Sequence, residues 1–174
     1  RCRYSHNGSP FARNAWYEPN QADSSGGVVN NNNIADGAGF IDATTDEQII
    51  SCEFIKDRLI VFFERSTWEL AYTGNEVLPF IWQKINTELG AESQFSAVPF
   101  DKMILAIGNT GVQSCNGANV ERIDNKIPDL IYNLKLANVS IQRVCGIRDY
   151  FSELVYWAYP SDFENPLNVY PNKI

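Results

Sequence analysis

The chain has 174 residues, of which 44% are hydrophobic and 13% aromatic, so it is long enough for one domain with a real core. No apolar run approaches the roughly 18 residues of a membrane-spanning helix, and the composition therefore predicts a soluble globular protein. The formal net charge of −7 argues against a nucleic-acid-binding surface, which needs a basic patch.

The acidic charge has two interpretations. Ordinary solubility explains it, and charge alone favours that explanation. The alternative is a channel through which DNA slides without sticking, because acidic side chains repel phosphates.

Residues 1–44 are predicted to hold the end of a preceding sheet and a long loop. Cys2–Ser5 and Ala12–Tyr17 have the pattern of short strands. The segment Glu18–Gly39 contains a run of four asparagines and Gly-rich stretches, with too little apolar content to order itself. We expect it to be either a disordered excursion or a loop that orders against a neighbouring subunit. Both ends of the chain look like cuts, which predicts a piece of a longer polypeptide.

From residue 45 onward the sequence predicts strands in groups. A capping-box pattern from Thr45 to Gln48 predicts one helical turn before the first group. Leu59–Phe63 is apolar throughout, which indicates burial on both faces, whereas Thr67–Tyr72 alternates like a half-buried strand near an edge. The first group consists of Ile49–Lys56, Leu59–Phe63, Thr67–Tyr72 and Phe80–Ile85.

The second group repeats this pattern. Gly108-Asn109-Thr110-Gly111 lacks the lysine and the strand-to-helix context of a phosphate loop, so it predicts a hairpin turn. Asn116-Gly117 predicts a two-residue type I′ hairpin. The small residues Ser96 and Ala97 suit an inner strand beside a central channel. The predicted strands are Ser93–Phe100, Met103–Ile107, Val112–Cys115 and Ala118–Ile123.

A third, incomplete group follows a helix predicted over Ile127–Leu134, where Pro128 fits the first turn. Its strands are Ile141–Arg148 and Leu154–Tyr159. Groups of four strands that recur every roughly 40–50 residues are typical of β-propeller blades. The sequence thus predicts an all-β fold, a partial β-propeller of about three four-stranded antiparallel blades at residues 45–90, 91–126 and 140–174, with one short helix between blades.

No catalytic, cofactor-binding or metal-binding residues are predicted. His6 is the only histidine, which rules out a multi-histidine site within this chain. The cysteines lie outside C-x-x-C pairs and are expected to be free and mostly buried; they are Cys2, Cys52, Cys115 and Cys145.

Aspartates recur in the first turn of each group, at Asp57, Asp101 and Asp149. They either bind a cation or a sugar from one face, or hydrogen-bond the backbone of their own turns, and the pattern favours the second interpretation.

Aromatic side chains recur in the strands and have two interpretations. They are able to stack on a sugar, but their alternation fits packing between sheets better. The set comprises Trp16, Trp68, Trp82 and Trp157 with Tyr72, Tyr156 and Tyr159. Asn7 and Asn138 begin N-glycosylation sequons, which matter only in a secreted eukaryotic protein.

Two runs carry a resemblance to a known family. Leu59-Ile60-Val61-Phe62-Phe63-Glu64-Arg65-Ser66-Thr67-Trp68-Glu69-Leu70, followed by Trp82-Gln83-Lys84-Ile85-Asn86-Thr87-Glu88-Leu89-Gly90, resembles the tail nozzle (tail-hub) proteins of short-tailed bacteriophages. That family includes the head-completion and tail tubular B proteins, and Ser96–Gly108 is similar to its next blade. The resemblance covers about Thr45 to Lys173 and leaves the first 44 residues unassigned.

The resemblance implies a structural virion protein of the phage tail, made in the bacterial host cytoplasm, without enzymatic activity, cofactor or membrane contact. It implies a sixfold nozzle ring below the portal, in contact with other nozzle subunits, the tail adaptor and tail fibre or spike proteins. Genomic DNA would pass through the ring without specific binding. The complete propeller of that family has more blades than this chain supplies.

Two alternatives stay open. A carbohydrate-binding or glycan-cleaving propeller of a tail would need paired carboxylates about 5–10 Å apart at one channel mouth. A cellular protein-interaction propeller of the WD40 or kelch type is the other, and the lack of Trp-Asp dipeptides weighs against it.

Overall fold

The computed structural model describes residues 1–5, 11, 38–75, 77–108, 110–127, 141–160, 171 and 174. Within these residues the protein is all-β, and its helical content is one 3-10 helix at Ile141–Arg143. The predicted fold class is therefore confirmed at that level. No helix in the described part of the chain is long and apolar enough to cross a membrane. The predicted strand Ala12–Tyr17, nearly all of Glu18–Gly39 and all but the first residue of the predicted helix Ile127–Leu134 lie outside the described residues.

The described strands form antiparallel sheets in chain order. Strands β1 (Cys2–Tyr4) and β2 (Gly39–Ile41) pair with each other. The first sheet contains β3 (Ile49–Ile55), β4 (Arg58–Phe63), β5 (Thr67–Tyr72) and β6 (Phe80–Asn86). The second sheet contains β7 (Val98–Phe100), β8 (Met103–Gly108), β9 (Gly111–Cys115) and β10 (Val120–Arg122). The C-terminal hairpin contains β11 (Cys145–Asp149) and β12 (Leu154–Ala158).

The chain divides into two compact units, Arg1–Thr45 with Tyr72–Ile81, and Asp46–Ala71 with Trp82–Ile174. In the first unit the Phe80 ring lies 5.3 Å from the Tyr4 ring and 5.6 Å from the Tyr72 ring, centroid to centroid. The Arg1 guanidinium donates to the Asp42 carboxylate at 2.8 Å. This unit therefore combines a small aromatic cluster with an exposed ion pair.

The main core of the second unit lies between the first and second sheets. Ile60 and Phe62 on β4 and Ile104 and Ala106 on β8 are fully buried in one hydrophobic cluster. Because side chains alternate along a strand, each pair marks one face of its sheet. The two sheets therefore pack face to face.

The opposite face of the second sheet packs on the C-terminal hairpin. Ile107 and Val112 form a second cluster with Val144, and Trp157 and Tyr159 pack against it. The second sheet is consequently in contact with a neighbour on both faces.

Strand β4 is buried on both faces, as predicted. The prediction for β5 is wrong, because Thr67 and Glu69 are buried as well as Trp68, and the strand lies between β4 and β6. Burial of its polar face is possible because both polar side chains have partners. Thr67 Oγ1 donates to the Leu89 carbonyl at 2.6 Å, and Glu69 pairs with Arg58.

The helical turn predicted at Thr45–Gln48 is wrong, because that segment is irregular. The carboxylate of Glu47 accepts hydrogen bonds from the Arg65 amide at 2.9 Å and from Ser66 Oγ at 3.0 Å. These residues form the turn between β4 and β5. The acidic side chain near the predicted cap therefore stabilises a distant turn instead of a local helix.

The type I′ hairpin predicted at Asn116-Gly117 is also wrong. Cys115 pairs directly with Val120, so the loop has four residues, and of the two predicted positions only Gly117 has a positive φ, of 85°. Asn116 Oδ1 accepts the amides of Ala118 at 2.9 Å and Asn119 at 2.8 Å. This side-chain cap replaces the predicted tight turn.

Two predicted strands begin later than expected. Ser93–Phe100 forms a strand only over Val98–Phe100, so Ser96 and Ala97 are not part of an inner strand. Ile141–Arg148 begins as the 3-10 helix, and its strand starts at Cys145. In both cases the residues before the strand make contacts between sheets, which local pattern does not reveal.

Candidate functional site

The three turn aspartates lie at the first turn of their sheets, but at different positions. Asp57 is the second residue of the turn between β3 and β4, whereas Asp101 is the first residue of the turn between β7 and β8 and has φ 53°. Asp149 is the last residue of β11 and pairs with Leu154. The predicted equivalence of the three positions is therefore wrong in detail.

Asp149 stabilises its own turn. Its Oδ1 accepts the amides of Phe151 at 2.9 Å and of Ser152 at 3.4 Å. Hydrogen bonds from the Ser152 side chain and from these amides lower the pKa of Asp149. For this residue the geometry matches the turn-stabilising interpretation and not ligand binding.

The described residues bring together no group of three His, Cys, Asp or Glu side chains able to hold a metal ion. His6 and the sequons at Asn7 and Asn138 lie outside the described residues. Gly108 and Gly111 pair across the turn that joins β8 and β9, so the predicted hairpin at that glycine-rich stretch is confirmed.

All four cysteines are free, as expected, but only Cys115 is buried. Burial raises the pKa of the Cys115 thiol, which keeps it a neutral apolar group. Cys52 and Cys145 are exposed, so the expectation that most cysteines are buried is wrong. Exposure follows from strand alternation, which the cysteine pattern alone does not show.

The aromatic residues of the first sheet pack on one another. Phe63 lies 5.9 Å from Trp68 and 5.8 Å from Trp82, centroid to centroid. Trp68 Nε1 donates to Ser66 Oγ at 2.8 Å, and Lys84 Nζ lies 4.6 Å from the centre of the Trp68 ring. Trp68 is therefore a packed core residue whose ring is not free for a sugar.

Trp157 packs between the second sheet and the C-terminal hairpin, and its Nε1 donates to the Ser96 carbonyl at 2.9 Å. Packing between sheets thus describes both Trp68 and Trp157. Tyr72 and Tyr156 are exposed, and Trp16 lies outside the described residues.

The densest polar network of the described chain is the segment Leu89–Ala97, which we call the inter-sheet connector. It joins β6 to β7. The Ala91 amide donates to the Phe63 carbonyl at 2.9 Å, and the Gly90 carbonyl accepts from Gln113 Nε2 at 2.6 Å. The connector is therefore bonded to the first sheet on one side and to the second on the other.

Gly90 is required here by close approach. A Cβ at this position would overlap the Phe63 carbonyl oxygen and the Arg65 amide. Gly108 faces it, since a Cβ there would overlap the Gly90 carbonyl oxygen. The two glycines let three backbone segments meet without side chains between them.

The connector also reaches the C-terminal hairpin. Ser93, whose side chain is fully buried, donates from Oγ to the Val144 carbonyl, with the Gln142 carbonyl 3.2 Å away. The Phe95 carbonyl accepts the Gly146 amide at 2.8 Å, and Phe95 forms a parallel bridge with Cys145. One segment thus bonds to all three consecutive sheet elements.

A buried ion pair, absent from the sequence interpretation, joins the first sheet to the β9–β10 loop. Arg58 Nε donates to Glu69 Oε1 at 2.7 Å, and its Nη2 donates to the Gly117 carbonyl at 2.6 Å. The hydrogen bond to Glu69 raises the pKa of Arg58. The signal was available, because Glu69 lies inside an otherwise apolar strand and a buried charge needs a partner.

A second buried carboxylate lies at the end of the second sheet. Both oxygens of Asp124 accept from Arg122, at 3.0 Å from Nε and 3.0 Å from Nη2. Asp124 is buried, and its Oδ2 would overlap a Cβ on Gly111. The side chain therefore packs directly on the turn between β8 and β9.

Together these groups hold sheets at fixed positions and leave no polar group arranged around a substrate-sized space among the described residues. The arrangement is that of a structural junction. No protein-family model matches this sequence, and no curated protein sequence is significantly similar to it.

Proposed function

We propose that this chain is an architectural part of a bacteriophage tail, a nozzle subunit whose consecutive sheets are blades of a β-propeller. The observation that supports it best is the packing of three successive antiparallel elements, each presenting one face to the previous element and the other to the next. Successive four-stranded sheets stacked in chain order are typical of propellers.

The first strands of these elements support the same arrangement. Strand β3 lies beside β7, and β7 lies beside β11. The parallel bridge between Phe95 and Cys145 joins the chain before β7 to β11. Neighbouring, like-oriented first strands are what blades arranged around a shared axis would have.

The residues that carry the phage resemblance lie mostly in this packed framework. The run Leu59–Leu70 covers most of β4 and β5, and Trp82–Gly90 covers most of β6 and the start of the connector. Their side chains pack, bond to backbone or pair with each other, which fits a scaffold and not a catalytic site. Rings of such subunits, with net charge −7 each, would let DNA pass because acidic surfaces repel phosphates.

The proposed partners are other nozzle subunits in a sixfold ring, the tail adaptor, and tail fibre or spike proteins. The proposed location is the phage tail, after synthesis in the bacterial host cytoplasm. Trp68 and Trp157, which a glycan-binding face would need exposed, support the architectural role instead because both are packed.

Cryo-electron microscopy of purified phage particles tests this proposal. We expect density for this chain in a ring around the DNA exit channel, with antibody label at the same place. Particles depleted of the chain should lose that ring and leak DNA. Absence of the chain from purified tails, or density in which the first and second sheets do not point toward a common axis, would overturn it.

A further inference from the structure

The C-terminal hairpin exposes one continuous apolar surface. Ile147 and Tyr156 pair across its strands, 69% and 40% exposed, and Leu154 beside them is 50% exposed. Phe151, in the turn, is 98% exposed. We call these four residues the apolar hairpin face. Four large apolar groups clustered on one hairpin form a patch of the kind that marks interaction sites.

The turn that carries Phe151 is held rigidly. Asp149 Oδ1 accepts the Phe151 and Ser152 amides, and Arg148 Nη2 donates to Glu153 Oε2 at 2.6 Å across the turn. The Arg148 guanidinium lies 4.7 Å from the ring centre of Tyr150. An aromatic residue presented on an ordered turn loses little entropy when it binds, which favours its use as an anchor.

Equivalent positions in the preceding sheets are covered. The pairs that close the first turn are Ile55–Arg58, Phe100–Met103 and Asp149–Leu154. Two residues further along the second strand lie Ile60, Leu105 and Tyr156. Ile60 is fully buried against the second sheet, whereas Tyr156 is exposed. The apolar hairpin face therefore continues a series of packing faces but has no neighbour of its own.

The charges around this face select the partner. Glu153 has a side chain that is 61% exposed, whereas its partner Arg148 is 14% exposed, so the charge that a partner meets at the turn is acidic. A second copy of this chain carries the same net charge of −7, and an anionic membrane would be repelled in the same way. A basic rim is the complement of such a surface.

We propose that the apolar hairpin face is a docking site for a different protein, whose apolar pocket accepts Phe151 and whose rim carries Lys or Arg. This surface is defined by its own exposure and charge, and it does not depend on the virion role. A negative result here leaves the architectural proposal standing, and the reverse also holds.

The test places the photo-reactive residue p-benzoylphenylalanine at position 151 of the full chain and, as a control, at position 11. Phe11 is the same residue type and is 100% exposed. Each protein is irradiated in extract of the source cells, the protein that couples to position 151 is identified and purified, and its affinity is measured by calorimetry. We expect Phe151→Ser to weaken that affinity about 10-fold or more and Phe11→Ser to leave it unchanged.

Salt provides a second readout. Raising NaCl from about 50 mM to about 500 mM should weaken binding, because the exposed acidic turn meets a basic rim. Three results would overturn the proposal: equal coupling from positions 11 and 151, coupling from position 151 only to further copies of this chain, or binding to 3:1 phosphatidylcholine–phosphatidylglycerol vesicles that needs Phe151. A purified partner whose affinity ignores both Phe151→Ser and salt would overturn it as well.

Discussion

The two interfaces of the second sheet are built differently. On one side it meets a complete four-stranded sheet through a cluster of fully buried aliphatic and aromatic residues, with Phe62 and Ile104 at its centre. On the other it meets only two strands, attached through a smaller cluster, Ser93 and the indole of Trp157. Strands with similar sequence patterns therefore differ in stability according to what covers them, because the hydrophobic contribution follows the area removed from water.

Matched phenylalanines should show the largest contrast. Phe62→Ala removes a fully buried ring and should lower the free energy of unfolding by about 3–5 kcal/mol. Phe151→Ala removes an exposed ring and should change it by less than about 0.5 kcal/mol. Urea denaturation of both variants measures the difference. Similar losses for the two would mean that the hairpin is as well packed as the first interface.

Backbone contact at the connector should give the next largest effect. Gly90→Ala forces a Cβ against the Phe63 carbonyl and should cost about 1–3 kcal/mol or more. Gly74→Asn is the control, because Gly74 has no atom near its Cβ position and its φ of 73° is one that asparagine tolerates. Thermal unfolding distinguishes them, and a Gly90→Ala protein as stable as the control would contradict the close approach.

Removal of one hydroxyl should separate the two interfaces. Ser93→Ala deletes the donor to the Val144 carbonyl and should cost about 1–3 kcal/mol, felt mainly by the C-terminal hairpin. Hydrogen exchange should quicken over residues 145–158 and stay unchanged in β4.

Ser51→Ala is its control, since Ser51 Oγ donates to the Gln94 carbonyl at 2.9 Å on the first-sheet side. The interpretation fails if Ser51→Ala exposes the hairpin as much as Ser93→Ala does.

Acid should give the smallest effect, confined to the hairpin turn. The pKa of Asp149 is lowered from its usual 3.8 by hydrogen bonds formed in the folded turn. The stabilisation is therefore fully present above that usual value and is lost as the pH falls through the lowered pKa.

Amide exchange of Phe151 and Ser152, corrected for its intrinsic pH dependence, should lose protection in that window, whereas Asn119 at the second-sheet loop should not. Loss at both loops together would indicate global acid unfolding instead of a local event.

Much of the strand pattern was predictable from sequence. The bounds of β5 were predicted correctly, β4 and β8 differ by one residue, and burial of β4 on both faces follows from its unbroken apolar run. The free state of the cysteines was also predicted correctly. These features depend on residues near one another in the chain, so local pattern is enough to find them.

The errors share a cause. The predicted helical turn at Thr45–Gln48, the early start of β7 and the exposed side of β5 were judged from local pattern, but long-range hydrogen bonds decided them. Glu47 bonds to Arg65, Ser93 to Val144 and Thr67 to Leu89. Partners so far along the chain leave no periodic signal.

The amino-acid sequence by itself determined an acidic, all-β chain with regularly spaced buried strands, because hydrophobic alternation and turn chemistry act over a few residues. The tertiary structure alone decided that Leu89–Ala97 bonds three sheet elements together and that one hairpin face stays uncovered. Those properties depend on which surfaces meet, and burial and hydrogen bonding between distant segments exist only once the chain has folded.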